Sequence, residues 1–213
     1  FRRVLFRSSA WTTSIYPPRS QARDALSHYA RVFNTVEGNT TFYAWPAPET
    51  VDRWASQVDA EFRFLFKFPQ AITHEYALGG DALERAGRFI ELLAPLGSRR
   101  GPLFIQLPAS FSYRQLNTLY HFLRQLPQPH DYVVEVRDPM LCVGAGLDEV
   151  NALLSETRTE RAWMDTRPLR AALPPLDPDT ERAWARKPNL PVYPIGLGPR
   201  PVLRYVAHPT LEA

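Results

Sequence analysis

The spacing of apolar residues along this chain switches repeatedly between a helical and an extended period, and that alternation limits the fold more than any other feature. Residues 21–33 carry Ala22, Ala25, Leu26, Tyr29, Ala30 and Phe33 at spacings of three and four, the mark of a helix with one buried face. Residues 35–43 are rich in β-branched and aromatic side chains and read as a strand. Pro46 and Pro48 sit where a helix through Val51, Trp54 and Val58 would begin, because proline is tolerated in a first turn. The unit then recurs. A strand is expected over 62–68, a helix over 82–96, and a strand buried on both faces over the nearly all-apolar 102–107. A helix over 112–126, with Ser112 placed to cap it, precedes a strand over 132–136, a helix over 147–154 and a strand over 161–165. After Pro168 the pattern weakens into a proline-rich stretch to Pro191, and 192–197 and 202–206 again look like strands.

Strands alternating with helices of about 10 to 15 residues imply right-handed crossovers and a parallel sheet, so the class is α/β. A closed (β/α)8 barrel averages about 250 residues. Five or six units in 213 residues therefore predict a TIM-type barrel truncated at both ends. A doubly wound open sheet is the alternative, but no Gly-x-Gly-x-x-Gly follows an early strand and no Gly-x-x-x-x-Gly-Lys occurs, which argues against its nucleotide-binding form. The opening FRRVLFRSSA fits neither period and lacks the apolar core of a signal peptide. Residues 1–10 are thus expected to be a non-native or disordered leader, and 11–213 a single incomplete barrel domain. Open strand edges in such a domain would favour aggregation over independent folding.

The net charge of +3 is concentrated at one end: Arg2, Arg3, Arg7, Arg19 and Arg23 precede the first acid, Asp24, and the other 20 basic residues are outweighed by 22 acidic ones. A nucleic-acid stripe is not expected from a body so close to neutral. No apolar run approaches the roughly 20 residues that cross a bilayer. One cysteine, Cys142, allows no internal disulfide, so a cytoplasmic setting is expected, and no basic or acidic partner of that thiol can be assigned.

Ligand sites of parallel α/β folds gather at the carboxyl ends of the strands. There stand Glu37 and Asn39, then Lys67 with Thr73 and His74, then Gln106, then Glu135, Arg137 and Asp138, then Asp165 and Arg167, and finally Arg204 and His208. Glu135 and Arg137, two apart, leave the strand on one face, and Asp165 and Arg167 repeat the spacing. An isolated charge facing a barrel lumen would be costly, so these groups are either a structural ion-pair network or a charged pocket. Lys67 among four phenylalanines needs a carboxylate, Glu37 or Glu135, to stay charged. His28, His121 and His130 read as structural or solvated. Glu37, His74, Glu135 and Asp165 have metal-ligand chemistry without a metal-specific spacing. Trp45, beyond a strand end, is placed to line a site.

The motifs VEGNTTFYAWP, FRFLFKFP, Thr73-His74, GPLFIQLPASF, YVVEVRDP, WMDTRP and VLRYV, in that order, resemble the YecE-like family, domain of unknown function 72 (DUF 72). The resemblance runs from about Trp11 to Val206 and implies a TIM barrel without an established activity. The family's first strand contains glycines and ends near a tryptophan, of which Trp11 alone is matched, and the family continues into a further strand and helix. The resemblance marks Glu37, Asn39, Lys67, His74, Gln106, Glu135, Arg137, Asp165 and Arg204 as family-motif positions without known roles; by their own chemistry Glu37, Lys67, His74 and Glu135 are candidate catalytic groups. Asn39, Gln106, Arg137, Asp165 and Arg204, joined by Arg167 on its spacing, are candidate substrate-binding groups. No cofactor is assigned. Three functions are expected to compete: an enzyme binding a small anionic metabolite such as a sugar phosphate, a metal-dependent hydrolase or isomerase, and a non-catalytic domain that meets a partner through residues 168–191.

Overall fold

The computed structural model of the chain describes residues 15–17, 19–129, 131–193 and 195–206; the expected leader, Trp11, His130 and His208 lie outside the described residues. The described chain divides into two units, one comprising residues up to Ile105 together with Gln125–Asp131, the other Gln106–Arg124 and the residues from Tyr132 on.

In the first unit, α1 (Ala25–Tyr29) leads to β1 (Thr35–Gly38), α2 (Thr40–Tyr43), α3 (Pro48–Ser56), β2 (Arg63–Phe66) and α4 (Ala82–Leu92). Strands β1 and β2 pair in parallel, Glu37 opposite Leu65 and Gly38 opposite Phe66. Paired residues share a face. One face therefore carries Val36, Phe64 and Phe66, on which Trp54 of α3 stacks, its ring 5.0 Å from that of Phe66. The other face carries Glu37 and Leu65. Each buried phenylalanine of this layer contributes about 1.5–3 kcal/mol. The strand expected over 35–43 stops at Gly38. A Cβ there would lie 2.3 Å from the Phe66 ring, and Asn39 turns into a helical conformation that starts α2. The helix expected over 82–96 also ends early, at Leu92, and gives way to a 3-10 segment over Ala94–Arg99.

Strand β3 (Leu103–Gln106) carries the chain from the first unit into the second. There α5 (Leu116–Gln125) follows a capping box in which Ser112 and Gln115 satisfy each other's backbone amides, as Ser112 promised. Then come β4 (Tyr132–Glu135), α6 (Gly144–Glu156), β5 (Glu160–Asp165), α7 (Arg167–Arg170), α8 (Pro178–Arg186) and β6 (Val202–Tyr205). Strands β4, β5 and β6 are parallel neighbours in that order. Tyr113 and Tyr120 donate hydrogen bonds to Glu149 and Glu156, two equal rungs between the α5 region and α6.

The proline-rich stretch is more regular than its composition suggested. Asp177 caps α8 by accepting from the Asp179 and Thr180 amides, and Pro178 occupies the first helical position. The described residues 192–193 and 195–197 form no strand; the Trp163 indole donates to the Ile195 carbonyl at 3.0 Å, and Glu160 accepts from the Leu197 and Gly198 amides. The fold is thus mixed α/β with parallel sheets, and among the described residues the strands do not form a closed barrel. No helix among them is long and apolar enough to cross a membrane.

Candidate functional site

The candidate residues of the second unit separate into two groups, because strand register divides them. Glu135 lies opposite Ala162, and Met164 opposite Arg204, so Glu135 and Arg204 share a face. Asp165 lies opposite Tyr205 and falls on the other face, with Trp163 and Leu203. The two acid-x-arginine motifs do not form one pocket.

On the first face Glu135 is 1% exposed and accepts one hydrogen bond on each oxygen. Arg137 Nε donates to Oε1 at 2.8 Å and Arg204 Nη1 to Oε2 at 2.5 Å. Burial alone would raise the Glu135 carboxyl, but Arg204 and then Arg137 outweigh it and hold the group below the usual carboxylate range. The triad is ionised and carries a net charge of +1. Arg137 uses only Nε, and among the described residues its two terminal nitrogens make no hydrogen bond. The Leu107 amide donates to the Glu135 carbonyl at 3.0 Å, and Gln106, just before it, is buried.

On the second face Asp165 takes Arg167 side-on, from Nε at 2.9 Å and Nη2 at 2.6 Å, and accepts the Arg167 amide at 3.0 Å. These bonds with Arg167 lower the Asp165 carboxyl and raise the guanidinium. Both charges are satisfied within the pair, although the Arg167 side chain is 76% exposed.

In the first unit Lys67 is buried, with Nζ 3.1 Å from Glu37 Oε1 and 5.4 Å from the centre of the Phe104 ring. Glu37, one of the partners foreseen, pairs with it. Thr41 Oγ1 donates to the Lys67 carbonyl at 2.7 Å, tying α2 to the end of β2. Thr73 Oγ1 lies 2.8 Å from His74 Nδ1, and the imidazole packs edge-on against Phe42. Asn39 heads α2 without capping it. Trp45, 40% exposed, sets its ring edge-on against Phe89.

Sequence reasoning missed Arg161, which is 1% exposed on β5 and bonds Asn151 Oδ1 at 2.9 Å, the Leu141 carbonyl at 3.0 Å and Cys142 Sγ at 3.4 Å, with its guanidinium 4.4 Å above the Trp163 ring. The missed signal is an arginine inside a six-residue strand that is otherwise buried. Burial lowers Arg161 and raises the Cys142 thiol, which is the partner the sequence could not assign. Among the described residues no three His, Cys, Asp or Glu side chains gather as a metal ion would need.

The family model described as Protein of unknown function DUF72 matches residues 5–213. The chain belongs to the DUF72 family. It is 40% identical over 183 residues to the UPF0759 protein YecE of Escherichia coli K12 and 39% identical to that of strain O157:H7. Those alignments cover 85% of this chain and 66% of the relatives, so the chain spans about two thirds of their length. Among solved structures, a DUF72 protein from Thermotoga maritima MSB8 superposes with a TM-score of 0.70 at 22% identity, covering 94% of this chain and 71% of that one. A DUF72 protein from Enterococcus faecalis V583 gives 0.67 at 21%, covering 92% and 67%. At that identity the likeness speaks to fold alone. The DUF72 description carries no activity.

Proposed function

We propose that this protein binds a small anionic molecule at the carboxyl ends of β4 and β6, with Arg137 as the gripping group and Arg204 beside it. The observation that carries this reading is the way Glu135 is shared: each of its oxygens holds one nitrogen of a different arginine, so the triad keeps a positive charge and the Nη1–Nη2 edge of Arg137 stays uncommitted. That edge is a planar fork suited to two parallel bonds with a carboxylate or phosphate. Glu135, expected from sequence as an acid or base, acts here as the positioning residue, because a carboxylate ionised between two guanidiniums has no proton to give. Glu37, Lys67 and His74 remain the candidates for proton transfer in the first unit. Gln106, Asp165 and Arg167 are the weaker candidates for ligand contact, the last two because they neutralise each other.

The element order and the TM-scores of DUF72 structures support a (β/α)8-type barrel whose strand ends carry these groups. Sugar phosphates are the favoured ligand class and the cytoplasm the favoured setting. A metal-dependent reaction has less support, since Glu135 already holds two arginines.

The test is a thermal-shift and calorimetric titration of the protein against inorganic phosphate, simple carboxylates and sugar phosphates, alongside Arg137→Ala and Arg137→Lys. An anion present at a hundred times its dissociation constant stabilises by about 2.7 kcal/mol. The expected result is stabilisation of the parent, abolished in Arg137→Ala and weakened in Arg137→Lys. Anion binding that persists undiminished in Arg137→Ala, or no binding of any anion by the parent, overturns the reading.

A further inference from the structure

Arg161, on β5, is 1% exposed, yet among the described residues no carboxylate lies within ion-pair distance of its guanidinium. Arginine is almost never fully buried unless it is paired, because taking its charge out of water is costly. The Glu160 carboxylate, next in sequence, takes the Arg161 backbone amide and the Leu197 and Gly198 amides instead. Cys142, at 3.4 Å, supplies no negative charge, since burial holds its thiol above the ordinary value. What the guanidinium does hold is the turn that follows β4: Nη2 donates to the Leu141 carbonyl and Cys142 Sγ, and Nη1 to Asn151 Oδ1 on α6.

That turn is closed on itself. Asp138 opens a 3-10 segment over Pro139–Leu141 by accepting from the Met140 amide at 2.9 Å, the Leu141 amide donates to the Asp138 carbonyl at 3.1 Å, and the Cys142 amide to the Pro139 carbonyl at 3.1 Å. Helix α6 starts hard against it: a Cβ on Gly146 would lie 2.1 Å from the Met140 carbonyl oxygen. Arg161 therefore fastens turn and helix together from below. The residue just before this turn is Arg137. Its backbone is fixed on one side by β4 and on the other by two bonds in series, Arg161 to the Leu141 carbonyl and the Leu141 amide to the Asp138 carbonyl. Where that backbone stands decides whether Nε meets Glu135 and where the remaining edge of the guanidinium points.

We propose that Arg161 is a positioning residue for Arg137: its buried fork sets the turn after β4 and thereby holds the Arg137 guanidinium in the attitude that grips an anion. The role given to Arg137 rests on the anion reading above; the mechanical link between Arg161 and Arg137 does not. A binding group held in place before its ligand arrives loses less freedom on binding, and the residues that fix it contribute to affinity without touching the ligand.

The test uses the full chain and three variants: Arg161→Met, which removes fork and charge, Arg161→Lys, which keeps the charge without the fork, and Leu154→Ala, a fully buried α6 position that lowers stability as a control. Two readouts are taken where every variant is folded: the Arg137 Nε–H resonance by NMR, which reports the bond to Glu135 without any ligand, and titration with inorganic phosphate. In both Arg161 variants the resonance should shift and phosphate binding weaken about tenfold, the loss of one hydrogen bond to a charged group, while Leu154→Ala matches the parent in both. Should Arg161→Met fail to fold, Arg161→Lys carries the same comparison. If the parent binds no phosphate while the resonance still moves in the Arg161 variants alone, the anion reading falls and the positioning role stands. An Arg137 resonance unmoved in the Arg161 variants, a binding parent whose phosphate affinity they leave unchanged, an equal change in Leu154→Ala, or parent-like behaviour of Arg161→Lys, which would make the charge and not the fork the active element, overturns the proposal.

Discussion

Two acid-x-arginine motifs, one residue beyond the same kind of strand end, reach opposite outcomes in this protein. At Asp165 the following arginine closes side-on over both carboxylate oxygens and the pair is complete, the acid buried and the arginine exposed. At Glu135 a second arginine, Arg204 from a distant strand, takes one oxygen, so Arg137 can bond only through Nε and the group keeps a surplus positive charge although nearly buried. Spacing predicts that an acid and an arginine will meet. What remains for a ligand depends on a third residue 67 positions beyond Arg137, and that no local spacing shows.

The comparison breaks most decisively at its buried carboxylate. Glu135→Gln leaves two guanidiniums without a counter-charge and should lose about 3–5 kcal/mol of unfolding free energy, measured by urea denaturation; a loss below about 1 kcal/mol would mean the triad is not the buried network described. Arg137→Ala leaves Glu135 bonded to Arg204 and should cost less, about 1–3 kcal/mol, while removing anion binding; Arg137→Lys separates the charge from the fork, restoring much of the stability and little of the affinity. Acid titration sharpens the contrast. The Glu135 carboxyl is held below its ordinary value of 4.5, so its stabilisation is complete above that pH and fades as the pH falls through the depressed value. Glu135→Gln should flatten that acid limb of a stability-against-pH curve, and Asp165→Asn, whose carboxyl is also lowered, should flatten it less. The smallest effect is expected for Arg167→Ala: with its side chain in solvent, its loss should barely move the urea midpoint or the anion titration, and a clear loss of anion binding would move the ligand to the other face of β5.

Much of this was legible in advance, for physical reasons. The βα order, the burial of β3 on both faces, the Ser112 cap and the pairing of Lys67 with a carboxylate all follow from local composition or from the cost of an unpaired buried charge. The early end of β1 was not legible, because it depends on the Phe66 ring lying against Gly38 from another strand. The expected strand over 192–197 resembles one in composition, yet Ile195 and Leu197 are held by the Trp163 indole and the Glu160 carboxylate, both remote in sequence. The division of Glu135 and Asp165 between faces was hidden too: each motif is two residues long, but their relation depends on the β4–β5 register, which places Glu135 opposite Ala162. Helix α8 could have been read from Asp177-Pro178, a cap followed by a proline in the first turn, had the prolines around it not suggested a loop.

The two tyrosine–glutamate rungs across α5 and α6 have a mechanical consequence. Tyr113 and Tyr120 are seven residues apart, as are Glu149 and Glu156, so each helix repeats its contact after nearly two full turns, and the helices run in the same direction. A slide of either helix by one turn would put a different side chain opposite each tyrosine and break both bonds at once, whereas a small rocking would strain only one. The two bonds are made together only in this register, so they favour one lengthwise setting of the α5 region against α6.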